Sequence, residues 1–140
     1  MGRNRHCDRF EKAIYGTGYL GEGEHLAYGK TYNVWFNIMK RCYSNLECYV
    51  AYRSCSVDER WHNFQVFAEW YNKNYINDWQ IDKDLLLKGN KIYGPDLCCF
   101  LPPKLNYILS SNNSRRGEFP IGVKPGGPSY AASITKNGKK

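Results

Sequence analysis

The sequence predicts an α+β fold, and three patterns predict it. Two stretches, 31–43 and 56–71, carry aromatic residues at helical spacing. Residues 79–110 then read as strand, loop, strand and helix. A hairpin pattern closes the chain over 120–138. The 140 residues suit one ordinary domain, or one domain with an appendage. Three segments are expected: an irregular Gly-rich lead-in over 1–30, a mixed domain over 31–113, and a basic β-hairpin tail over 114–140.

The lead-in contains Gly16-Thr-Gly-Tyr-Leu-Gly21-Glu-Gly23. It lacks the Gly-Lys-Ser/Thr ending of a phosphate loop, and no apolar strand precedes it. It reads as a turn-rich segment that packs Tyr15, Tyr19 and Leu20 onto the body. The first helix presents Tyr32, Trp35, Phe36, Met39 and either Cys42 or Tyr43 as one stripe. Lys40 and Arg41 fall near its end, where cations suit the helix dipole. Residues 44–55 read as a loop with a short extended piece. The second helix is expected to begin at Ser56-Val-Asp-Glu59, which has the form of a capping box. Trp61, Phe64, either Phe67 or Ala68, and Tyr71 would line its buried face and leave His62 on the surface. Aromatics make up 16% of the chain, so the core is expected to form around a few large rings.

Trp79-Gln-Ile-Asp-Lys-Asp-Leu85 is the next strand candidate, and Cys98-Cys-Phe-Leu101 the one after it. Lys88-Gly-Asn90 and Tyr93-Gly-Pro-Asp96 are turn signals between them. Pro102-Pro103 opens a helix at the position where no backbone amide is needed. In the tail, 120–124 and 129–135 read as strands around Pro125-Gly-Gly-Pro128, and Asn137-Gly138 is a further turn.

The net charge of +7 is concentrated at one end. Lys104, Arg115, Arg116, Lys124, Lys136, Lys139 and Lys140 face a single acid, Glu118. A cationic end interleaved with structured sequence is the footprint of a polyanion binder. These seven residues are the candidate nucleic-acid contacts.

The six cysteines form no Cys-x-x-Cys pair, which argues against zinc. The polar start, Met1-Gly-Arg-Asn-Arg-His, reads as no export signal. Reduced thiols, a cytoplasmic location and no membrane partner are therefore expected.

Residues 79–110 resemble the ββα-metal finger (His-Me finger) of HNH endonucleases. The residues that carry the likeness are Ile81-Asp-Lys-Asp84, Pro95-Asp-Leu-Cys-Cys-Phe-Leu101 and Asn106. With Tyr32, Trp35, Met39, Arg41-Cys-Tyr43, Trp61, Phe64 and Phe67, the pattern resembles small phage-borne HNH-like proteins. The tail, Ile121-Gly-Val123 with Tyr130-Ala-Ala-Ser-Ile134 and Asn137-Gly-Lys139, is similar to the opening of a three-stranded APETALA-type DNA-binding module, here truncated. The resemblance implies that Asp82 and Asn106 stand at metal-ligand positions, with Mg²⁺ as the cofactor of an active form. It places Lys83 at the general-base histidine and Leu97 at the loop-orienting asparagine.

An HNH nuclease needs a neutral imidazole to take a proton from water, and a divalent ion to stabilise charge on the phosphate. A lysine is ordinarily a cation at neutral pH. It opposes the metal and can instead pair with a phosphate. The expected protein is a nucleic-acid binder, with duplex DNA as partner, whose nuclease site is degenerate. The alternatives are an active divalent-metal-dependent homing-type DNA endonuclease, and a phage inhibitor that docks on a host nucleic-acid or defence complex in the host cytoplasm.

Overall fold

The computed structural model describes residues 8–111, and the backbone of 123–126 and 129–132. The chain divides into two units, Met1–Leu101 and Pro102–Lys140. Helices and short strands are mixed, as in an α+β protein.

In the first unit, α1 spans Gly29–Tyr43 and buries Trp35, Ile38, Met39 and Cys42. These positions recur at three- and four-residue spacing, so one stripe faces the core. A 3₁₀ helix over Glu47–Tyr52 replaces the expected loop with an extended piece. It breaks at Tyr49, where φ is −111° and ψ is 21°.

The expected capping box is absent. Ser56–Val57 forms strand β1 instead, paired in parallel with β3 (Ile92–Tyr93). A long-range partner overrides the local signal here, because β1 satisfies its backbone across the pair. Asp58 caps a short 3₁₀ helix, Glu59–His62, by accepting from Arg60 N at 3.0 Å. Asn63 then caps α2, Phe64–Asn74, by accepting from Gln65 N at 2.9 Å. His62 is half-buried rather than on the surface, and its Nε2 lies 2.9 Å from the Val57 carbonyl.

The core sits between α1 and the segment from Trp61 to Tyr71. Trp35, Trp61, Phe64 and Phe67 are fully enclosed. Trp61 meets Phe67 edge-on at 4.9 Å and Trp70 at 4.7 Å between centroids. Trp35 Nε1 donates to the Trp61 carbonyl at 2.7 Å, so one buried indole has its partner. The lead-in is pinned to the same core. Tyr19 N donates to the His62 carbonyl, and Phe64 N donates to the Tyr19 carbonyl, each at 2.9 Å. Tyr15 packs against Phe36. Gly18 sits so close that a Cβ would lie 2.9 Å from Met39 and 3.0 Å from Trp35. This glycine therefore serves close packing.

Strand β2 (Gln80–Asp82) pairs antiparallel with β4 (Cys99–Leu101), with Ile81 opposite Phe100 and Asp82 opposite Cys99. The long connection between them carries β3. Trp70 stacks on Phe100 at 5.6 Å, which ties this pair to α2.

In the second unit, α3 spans Pro103–Ser111. Strands β5 (Val123–Gly126) and β6 (Ser129–Ala132) pair antiparallel, with Lys124 opposite Ala131. No helix among the described residues is long and apolar enough to cross a membrane.

Candidate functional site

The segment singled out by sequence is the connection that follows β2. The strand ends at Asp82, earlier than the charge pattern suggests. Asp82 Oδ2 accepts from Asp84 N and Leu85 N, each at 2.8 Å, and so turns the chain out of the sheet. Because the backbone bends here, Lys83 and Asp84 do not alternate across a strand. Their side chains meet, with Lys83 Nζ donating to Asp84 Oδ1 at 2.6 Å.

Lys83 is buried, at 9% exposure. Its ammonium also donates to the Asn90 carbonyl at 3.0 Å and lies 5.8 Å from the centre of the Tyr93 ring. A buried cation is retained only when it is paired and hydrogen-bonded, and both conditions hold.

Asn90 completes the arrangement. Its Nδ2 donates to the Lys83 and Ile92 carbonyls, each at 2.8 Å, and its Oδ1 accepts from Ile92 N at 3.0 Å. Asn90 N donates to the Leu87 carbonyl at 3.1 Å. Lys83 and Asn90 thus clasp the two ends of the loop over 83–91. The loop is oriented by an asparagine, but at position 90. Leu97, the position the resemblance assigns to that role, offers its backbone amide to the Gly94 carbonyl at 3.2 Å. Asn90 escapes sequence reading because Lys88-Gly-Asn90 looks like an exposed turn. Its burial follows from closure of the loop.

Asp96 is spent on a surface pair. Arg60 bridges Asp58 at 2.9 Å and Asp96 at 2.7 Å. The bonded Arg60 guanidinium holds the Asp58 carboxyl below its usual range. Cys42 and Cys98 are buried beside this region. Burial raises each thiol to about 12, which makes both inert packing groups at neutral pH.

Asp82 Oδ2 already serves two amides, and the ammonium of the next residue is buried in the same loop. No group of three or more His, Cys, Asp or Glu among the described residues could hold a metal. Asn106, the other metal candidate, lies on α3 in the second unit. Lys104 shares that helix, and Lys124 lies in β5. Arg115, Arg116, Lys136, Lys139 and Lys140 lie outside the described residues.

A shallow concavity of about 340 Å³ lies elsewhere on the first unit, lined by His25, Thr31, Phe64 and Asn72 among others. No sequence motif marks it. Comparisons with protein-family models, curated proteins and solved structures found no match.

Proposed function

We propose that this chain binds duplex nucleic acid through its cationic C-terminal segment. In this reading, the strand–loop–strand region keeps an HNH-like outline without the means to cut. The observation that carries the proposal is the charge distribution, with seven cations against one acid from Lys104 onward. Such a segment gains affinity by displacing counterions from phosphates, with little dependence on sequence.

The loop geometry supports the second half. A general base must present a lone pair to water. The Lys83 amine instead donates to a carboxylate and a carbonyl. Its role is to close the loop. Asp82 with Asn106 remains the metal pair that an active form would need, with Mg²⁺ or Mn²⁺ supplied.

The test is fluorescence anisotropy of a labelled DNA duplex across a salt series. The triple variant Arg115→Ala, Arg116→Ala, Lys124→Ala should bind more weakly. The slope of log K on log salt should flatten by about 0.9 for each phosphate that the variant no longer neutralises. An unchanged affinity and slope would remove the tail from the interface. Incubating the wild type with DNA and Mg²⁺ or Mn²⁺ should leave the duplex uncut, whereas efficient cutting would favour the endonuclease. Capture of a host complex that survives nuclease treatment, without DNA binding, would favour the inhibitor.

A further inference from the structure

We infer that the loop tip Leu85–Leu87 is an apolar wedge for duplex DNA, flanked by phosphate contacts from Lys88, Lys91 and Arg53. This rests on the nucleic-acid reading above and names the part of the first unit that enters the groove.

The three leucines are 47%, 55% and 53% exposed. One exposed leucine needs no explanation, but three in succession on a loop do. The tip is also held in shape from beneath. Asp82 caps its first turn, Asn90 N ties the Leu87 carbonyl, and the Lys83–Asn90 clasp closes the base. A loop built on buried, satisfied polar groups presents its apolar residues in one arrangement, which lowers the ordering cost of binding.

Charge narrows the partner. The acid inside the loop, Asp84, is paired with Lys83. Lys88 and Lys91 are exposed, and Lys91 Nζ donates to Ser54 Oγ at 2.8 Å. Arg53, next to Ser54 in the chain, is exposed too. None of these three cations makes an ion pair among the described residues. The apolar tip is therefore followed in the chain by two exposed cations, Lys88 and Lys91, and the second reaches Ser54, next to Arg53.

Size narrows it further. A stable protein interface buries about 800 Å² on each side. A three-residue tip is far smaller, whereas the gap between two unstacked base pairs suits a leucine. Leucine is among the side chains that part base steps in this way, with cations on the neighbouring phosphates.

The experiment uses the full chain and a duplex carrying 2-aminopurine at a central step. Anisotropy reads binding, 2-aminopurine emission reads unstacking, and energy transfer between labelled ends reads bending. The wild type should bind, raise the emission several-fold and shorten the end-to-end distance. The variant Leu85→Ser, Leu86→Ser, Leu87→Ser changes only exposed side chains, and its thermal midpoint checks that the fold persists. It should lose the emission rise and the bend, and bind about tenfold more weakly. Lys88→Gln with Lys91→Gln should flatten the salt slope by about 1.8 while leaving the emission of the saturated complex unchanged. Binding by the wild type without unstacking would overturn the wedge alone. A full emission rise with the serine variant would do the same. No anisotropy change with any duplex would overturn the nucleic-acid reading as well. Leucine-dependent binding to anionic vesicles, with none to duplex, would reassign the tip to a lipid surface.

Discussion

In the helical body, Trp35, Trp61, Phe64 and Phe67 are enclosed by other rings. In the loop over 83–91 the order is inverted. Three leucines face solvent, while Lys83 and Asn90 lie inside. The body is held by apolar area, which is non-directional and scales with burial. The loop is held by directed hydrogen bonds, each of which adds little net stability but is costly to leave unmade. The body therefore supplies the free energy of folding, and the loop spends part of it on a defined shape. A chain that stabilised only itself would place Leu85–Leu87 inside and the lysine outside.

The largest expected effect tests the body. Trp35→Ala removes an enclosed ring and its bond to the Trp61 carbonyl. A cost of about 3–5 kcal/mol is expected from the urea midpoint, as for other buried aromatics. A cost below about 1 kcal/mol would mean that the rings are not the main source of stability.

Asn90→Ala comes next and separates the two regions. It leaves the Lys83 carbonyl, the Ile92 carbonyl and Ile92 N without their side-chain partner. About 2–3 kcal/mol should be lost. Trypsin should then cut more readily after Lys88 and Lys91, while the near-ultraviolet signal of the tryptophans stays native. Collapse of that signal along with the loop would show that the two regions fold as one piece.

Smaller again is an effect of alkaline pH. Burial raises the Cys42 and Cys98 thiols from 9.0 to about 12 in the folded state. Above pH 9 the unfolded chain releases these protons and the folded chain keeps them. The unfolded state then binds fewer protons, so stability falls as pH rises from about 9 to 12. At pH 10 the loss should be about 1 kcal/mol per thiol. Cys42→Ser and Cys98→Ser variants, compared by urea titration at pH 8 and pH 10, should each show a shallower decline than wild type. An equal decline in all three would assign it to other groups, such as the buried Tyr93 hydroxyl, which burial also raises.

The body was legible because its signal is periodic. The stripe from Trp35 to Cys42 and the ring series from Trp61 to Tyr71 could be read from spacing alone. The helix start was not. Ser56 and Glu59 have the right chemistry for a cap, but β3 claims Ser56–Val57 for a strand pair. Asn63, directly before Phe64, was the signal that could have shown the true start. In the loop, Asp82 and Lys83 were found as residues of interest, while their bonding was not. Their partners, Asp84, Leu85 and Asn90, are set by where the backbone bends. Nothing in the local pattern tells a buried lysine beside two aspartates from a solvated charged turn.

Lys83→Met should have the smallest effect, and it decides what the lysine is for. Methionine fills most of the space of the lysine stem and needs no hydrogen-bond partner. Asp84 is 43% exposed at its side chain, so water can take over its solvation when the ammonium is gone. The Asn90 carbonyl loses one donor, but the Asn90 side-chain amide still ties the backbone carbonyls of residue 83 and Ile92. Removing one partner of a fully buried pair is strongly destabilising, but Asp84 already reaches water, so the urea midpoint should move by only about 1 kcal/mol. The assay that matters is DNA binding. If the ammonium serves only the clasp, affinity and salt slope should match the wild type. A slope flatter by about 0.9, with stability unchanged, would mean that Lys83 leaves Asp84 to meet a phosphate. Lys83 would then be a contact residue, and the clasp would be the resting state of a loop that opens on DNA.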